Sequence, residues 1–338
     1  MILRHWKAVF SASILAIAAC AHAGVQEGLG AVQKGDFKAA YAEFKPLADK
    51  GDDIAAYYLG VMHTNGDGVA KDLEQAAAWF RKAADRGLGA AQVSLAGMYL
   101  NGTGVAKDPV QAAAWYRKAA EQGDPGAQTN LAVMYDSGQG VKQDYKEAVA
   151  WYRKAADQGL AHAQRNLGVM YANGYGVGQD QKEAMSWYRK AAAQGDVVAQ
   201  YNLGVMFERG NGVDRDYKEA ITWYRKAAEQ GFPNAQTNLG GMYAAGTGVD
   251  MNFEQALLWL RKGAEQGDPV GQRNLGAMIE FGSGVQMDKV EALKWFILAA
   301  GKGDALANAS MKAAEEALKP EQVQKAHELA REWQAKHK

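Results

Sequence analysis

A serine nucleophile of the acyl-transfer type needs a lysine one helical turn away, as Ser-x-x-Lys, so that the amine can take the hydroxyl proton. No serine of this 338-residue chain has that neighbour. Ser310 comes nearest, but Lys312 is two residues on, which puts the pair on different faces of a helix. Metal binding needs His, Cys or carboxylates clustered at ligand spacing. Past the N-terminal segment, His63, His162, His327 and His337 lie far apart, and His63 falls in a column of aromatic residues, where it reads as packing. A recurrent Gly-x-Gly would cradle phosphate only after a strand, with a third glycine or a following Lys-Ser or Lys-Thr. None of these is present, so the glycines read as turns. Methionines at a fixed interval read as core rather than as a soft-metal path. These residues define no catalytic, cofactor or metal site, and the chain is expected not to be an enzyme.

Arg-Lys pairs from Arg81-Lys82 to Arg261-Lys262 form the one basic row, read as a solvated helix face favoured by the helix dipole, with an anionic cell-wall glycan as the alternative partner. The chain has 38 basic and 38 acidic residues. Loss of Arg4 and Lys7 with an N-terminal leader leaves a net charge of −2 with the signs interspersed, which argues against nucleic acid.

That leader is residues 1–23: Arg4 and Lys7, an uncharged stretch from Ala8 to Ala19, then small residues, the pattern of a signal peptide. The apolar run is about half of the roughly 20 residues a membrane span requires, so no transmembrane helix is expected in the mature chain. Ala21-His22-Ala23 fits cleavage before Gly24, giving a periplasmic or secreted protein. Ile17-Ala18-Ala19-Cys20 instead fits an outer-membrane lipoprotein anchored through Cys20. Cys20 is the only cysteine, so no disulfide framework is available.

The elements that organise the rest are periodic. Tryptophan recurs every 36 residues, at Trp79, Trp115, Trp151, Trp187, Trp223, Trp259 and Trp295, with leucine (Leu59 to Leu275) and methionine (Met62 to Met278) columns in step. Each period holds a helix A with apolar residues at helical spacing, a Gly-x-Gly-Val turn, and a helix B opened by an acid or amide with Glu or Gln three residues on, as in Asp144 with Glu147. Pairs this short cannot bury a Trp, Leu, Met and Tyr alone, so they must stack. The expected fold is all-α, a right-handed α-solenoid of seven 36-residue repeats at 52–303. An N-terminal capping half-repeat is expected at 24–51, with Glu43 in the Trp column and Phe44 beside it, and C-terminal capping helices at 304–338.

Ala-Gln-x-Asn-Leu-Gly-x-Met-Tyr, Gly-x-Gly-Val, Asp-x-x-x-Ala, Trp-Tyr-Arg-Lys-Ala-Ala and Gln-Gly resemble the Sel-one-like repeat, a relative of the tetratricopeptide repeat. The resemblance implies an envelope or secreted scaffold binding protein or peptide partners. Some secreted relatives are linked to weak β-lactam hydrolysis, but those carry a disulfide in each repeat and this chain does not. By analogy with other helical repeats, partners should bind a concave face lined by helix A. Residues pointing away from the Leu and Met stripe fall at i, i+4 and i+7: Tyr57-Val61-Thr64, Arg165-Val169-Ala172, Tyr201-Val205-Glu208 and Arg273-Ala277-Glu280. Tyr57, Arg165, Tyr201, Glu208, Arg273 and Glu280 are the partner-binding candidates, because Tyr and Arg combine contact area with hydrogen bonding.

Overall fold

The computed structural model describes residues 23–337. The expected leader with Cys20 lies outside the described residues, apart from its last position. Among the described residues there are eighteen α-helices and no strands. They fall into two compact units, residues 23–170 with 174–178, and residues 171–173 with 179–337.

In the first unit, α1 (Ala23–Lys34) and α2 (Phe37–Asp49) precede the A helices α3 (Asp53–Asn65), α5 (Gly89–Asn101), α7 (Pro125–Ser137) and most of α9 (Ala161–Asn173). Between these lie the B helices α4 (Leu73–Asp85), α6 (Pro109–Glu121) and α8 (Tyr145–Asp157). The second unit continues with B helices α10 (Gln181–Ala193), α12 (Tyr217–Glu229), α14 (Phe253–Glu265) and α16 (Lys289–Ala300). Its A helices are α11 (Val197–Arg209), α13 (Pro233–Ala245) and α15 (Pro269–Phe281), followed by α17 (Ala305–Ala317) and α18 (Pro320–Lys336). In each unit a helix packs chiefly on its neighbours in the chain, which makes this an all-α solenoid of helix pairs.

The helix ends follow from local chemistry. At B helices the Asp side chain accepts from backbone amides of the first turn, as Asp144 does from Lys146 and Glu147 at 2.9 and 3.1 Å. A helices end on a left-handed glycine whose N–H returns to the methionine carbonyl, as Gly102 does to Met98 at 2.9 Å. Gly104, two residues later, has φ +68°, and a Cβ there would lie 2.0 Å from the Leu73 carbonyl oxygen. Only glycine fits both demands.

The tryptophans of the 36-residue column are buried except Trp223, which is half-buried, and burial of each contributes roughly 1.5–3 kcal/mol. The indole N–H of Trp151, Trp187 and Trp295 donates to Glu147, Glu183 and Glu291 at 3.2, 2.9 and 2.9 Å. The glutamates read as half of a capping box therefore serve the tryptophan one turn later.

A second column is polar. Gln92, Gln128, Gln200, Gln236 and Gln272 are buried, and each side-chain amide donates to a carbonyl eight residues earlier, that of Ala84, Ala120, Ala192, Ala228 or Ala264. Their oxygens accept from a glutamine 30 residues on: Gln122 to Gln92 (3.0 Å), Gln158 to Gln128 (2.9 Å), Gln230 to Gln200 (2.8 Å) and Gln266 to Gln236 (2.7 Å). This ladder ties successive pairs together within each unit. It stops at Gln272, whose oxygen is buried without a partner because Lys302 stands where the next glutamine would be.

At the first end Phe44 is fully buried and stacks on Tyr58, ring centroids 5.2 Å apart. At the other, α18 folds back over α16, where Trp333 meets Trp295 edge-to-face at 6.0 Å.

Candidate partner-binding surface

Tyr57, on α3, is 6% exposed, its ring held by Tyr58 and Phe80. With Val61, Thr64, Phe80 and Met98 it borders an open recess of about 330 Å³. The recess exists because α5 is short of side-chain volume. At the position of Tyr58, Asn130, Asn166, Asn202, Asn238 and Asn274 this helix has Ser94, and at the position of Val61, Val133, Val169, Val205, Gly241 and Ala277 it has Gly97. A glycine inside a helix costs roughly 0.5–1 kcal/mol relative to alanine. The space at Gly97 is open, since a Cβ there would meet nothing nearer than the Tyr116 hydroxyl at 3.7 Å.

Arg165, in the same unit, is half-buried on α9, and its Nε donates to Asn166 Oδ1 at 3.2 Å. Helices intervene between it and Tyr57, and the two make no common site.

In the second unit Tyr201 and Glu208 do come together, around Tyr224. The rings of Tyr201 and Tyr224 lie 5.7 Å apart, and the buried Tyr224 hydroxyl donates to Glu208 at 2.5 Å. Burial first, then the Glu208 carboxylate, raises the Tyr224 phenol well above its ordinary value, and burial also raises Tyr201. Both remain neutral hydroxyls, unsuited to act as bases. Arg273 donates through Nη1 to both carboxylate oxygens of Asp304, at 3.0 and 2.7 Å, and so joins α15 to the start of α17. Glu280 is half-buried on α15.

These contacts reveal a partnership that the helix-A periodicity alone does not announce. A residue at this variable position meets the N-cap position 31 residues later: Tyr201 with the Phe232 ring at 5.1 Å, Thr237 with Asp268 at 2.7 Å, and Arg273 with Asp304. Variation at Tyr201 and Arg273 is thus matched inside the molecule.

The lysines of the basic row are exposed, as expected of a solvated face, and they also pack on rings. Lys82, Lys118, Lys154, Lys190, Lys226 and Lys262 each fold over the tryptophan three residues earlier, ammonium to ring centroid 3.6–4.3 Å. Arg117 and Arg225 donate to the hydroxyls of Tyr135 and Tyr243 in the next pair. Cation–π attraction and packing of the lysine stems explain the residue type. Among the described residues no three His, Cys, Asp or Glu side chains gather as a metal site, and no helix is long and apolar enough to cross a membrane.

Short helix pairs of fixed length, glycine-capped A helices and a Trp-bearing B helix define a class of protein, the α-helical repeat scaffolds. Within that class this chain belongs to the Sel1 repeat family, whose sequence model matches seven consecutive segments, residues 53–88, 89–124, 125–160, 161–196, 197–232, 233–268 and 269–304. The chain is similar to the crystal structure of c5321, a protective antigen of uropathogenic Escherichia coli with an SLR fold, at 29% identity and TM-score 0.60, covering 93% of this chain and 84% of that one. It is also similar to a Sel1 repeat protein from Oxalobacter formigenes, at 32% identity and TM-score 0.64, covering 72% of this chain and 97% of that one. No curated protein matches the chain. Sel1 repeat proteins are generally protein-interaction scaffolds and typically non-catalytic.

Proposed function

We propose that the chain is a non-catalytic scaffold of the bacterial envelope or secreted fraction, and that it holds protein or peptide partners on its helix-A faces. The observation that carries this is the recess on the helix-A face of α3 and α5, where Ser94 stands in a column of Tyr58 and asparagines and Gly97 in a column that holds valine in four repeats. In the first unit the face includes Tyr57, Arg165 and the exposed Val133, and in the second Tyr201, Glu208, Arg273 and Glu280. The Asp304 pair holds Arg273 in one orientation, which lowers the entropy lost when a partner binds.

The leader pattern supports export, with cleavage before Gly24 or lipidation of Cys20. The mass of the chain recovered from the producing cell separates the two. The binding face is tested by photo-crosslinking in envelope extract with a photoreactive residue at Val133 or Glu280, against exposed helix-B controls at Ala114 and Thr222. Discrete protein adducts from the helix-A positions alone are expected. Adducts from the helix-B positions alone would overturn the assignment.

A further inference from the structure

The Gly-x-Gly-Val turn brings one side chain back over the glycine that ends helix A. Lys71, Lys107, Gln143 and Arg215 place their Cβ beside Gly66, Gly102, Gly138 and Gly210, and Met251 and Met287 do the same beside Gly246 and Gly282. In the earlier repeats, where Gln179 completes the column, the stem runs on to an ammonium, amide or guanidinium in water. In the last two it runs on to a thioether. Met251 is 62% exposed and Met287 55%, whereas Met185 and the methionine column from Met62 to Met278 are at most 8% exposed. Phe281, next to Gly282, is 73% exposed in a column that otherwise holds Asn65, Asn101, Ser137, Asn173, Arg209 and Ala245. The two turns are neighbours, since Gly284 lies against Phe253, two residues past Met251. Met251, Phe281 and Met287 thus make an apolar edge in the second unit at positions that are polar in the earlier repeats.

We propose that Met251 and Met287 are a reversible oxidation site, at which peroxide converts both thioethers to sulfoxides and turns the edge they share with Phe281 polar while the core stays intact. The sulfur lone pair attacks one peroxide oxygen and the O–O bond breaks. The sulfur is oxidised to the sulfoxide, the peroxide is reduced, and its other oxygen leaves as water with the proton that the transferred oxygen gives up. Two thiols of a methionine sulfoxide reductase reverse the step, releasing the oxygen as water and closing a disulfide. Access to the sulfur decides which methionines react. The core column is reached only when a helix pair opens, whereas Met251 and Met287 stand in water in the native fold. A sulfoxide in the core would disrupt packing. At this turn it supplies the polar end that lysine, glutamine and arginine supply in the earlier repeats, and the stem keeps its contact with the glycine. The inference stands apart from the scaffold reading.

The test treats the full chain with hydrogen peroxide and follows each methionine by peptide mass mapping, with the chain in urea as the reference in which every sulfur is open. Met251 and Met287 are expected to gain one oxygen about tenfold faster than Met134 and Met170 in the folded chain, to react at the same rate as them in urea, and to lose the oxygen again with methionine sulfoxide reductases A and B. Met311, half-buried on α17, should fall between. The melting temperature should hold while elution from a hydrophobic-interaction column moves earlier. Changing both residues, Met251→Leu with Met287→Leu, keeps the edge apolar, removes the sulfur and should abolish that shift. Oxidation of Met134 and Met170 as fast as Met251 and Met287 in the folded chain, a melting temperature that falls as Met251 and Met287 react, an elution shift that survives in the leucine variant, or sulfoxides that the reductases leave in place would each overturn the proposal.

Discussion

Gln128→Leu removes a rung of the buried glutamine ladder while keeping most of the volume. Two hydrogen bonds go, to the Ala120 carbonyl at 3.1 Å and from Gln158 at 2.9 Å. Each has a net worth of about 0.5–1.5 kcal/mol. Neither partner is left wholly bare, because Ala120 still accepts from the Gly123 N–H and the exposed Gln158 amide still donates to the Gly123 carbonyl. The unsatisfied-group penalty is therefore small, and the expected cost is about 1–2 kcal/mol. Urea unfolding of Gln128→Leu, Gln158→Ala and the double variant measures it, and the cycle should give a coupling of about 0.5–1 kcal/mol. Repeat proteins depart from two-state unfolding as arrays lengthen, so the comparison is made at constant slope. A loss below about 0.5 kcal/mol with additive singles would refute the claim that the ladder joins neighbouring pairs.

Lys302→Gln should extend the ladder by giving the Gln272 oxygen its missing donor, raising stability by about 1 kcal/mol in the same assay. No gain would mean that the Lys302 bond to the Gly267 carbonyl, at 2.6 Å, already serves as well. Trp187→Ala should cost about 3–5 kcal/mol through lost burial and a cavity, and a cost below about 1 kcal/mol would contradict its place in the core. Burial alone would raise the Asp304 carboxyl, but the Ala307 amide, the Arg273 guanidinium and the Leu306 amide together hold it below its ordinary 3.8. A depressed carboxylate stabilises the fold above its unfolded value and loses that contribution as pH falls through the folded one. Arg273→Ala should therefore cost about 1–2 kcal/mol at neutral pH, and the gap to the parent should close as pH drops below 3.8. A gap that stays constant across that range would show that the pair is not the source.

Much of the fold is legible in the sequence because its causes repeat. The Trp, Leu and Met columns, the left-handed glycines and the Asp caps answer to local rules, and local rules survive without coordinates. The Lys-on-Trp stack was legible too, since Trp79 and Lys82 stand at the i, i+3 spacing of helix neighbours and do so in six repeats, but a charged residue beside a helix end reads first as a dipole effect. The Gln column was visible at its 36-residue interval, yet its polarity hid its burial, because a polar residue is placed inside only when its partners are known. The pairing of Arg273 with Asp304 spans 31 residues, a distance fixed by how one pair sits on the next and not by any helical period. Type and periodic position alone mark Tyr57, Arg165, Tyr201, Glu208, Arg273 and Glu280 in the sequence. The recess arises instead from absence, from Ser94 being smaller than its counterparts and Gly97 smaller than the valines of four other repeats, and missing volume carries no large or reactive side chain to mark it.

The central claim is that partners meet helix A. Hydrogen–deuterium exchange of the chain with and without its crosslinked partner tests it most directly. The account predicts slowed exchange in the helix-A peptides, such as 89–101 and 125–137 in the first unit and 269–281 in the second, with helix-B peptides such as 109–121 and 217–229 unchanged. Protection confined to the helix-B peptides would contradict it.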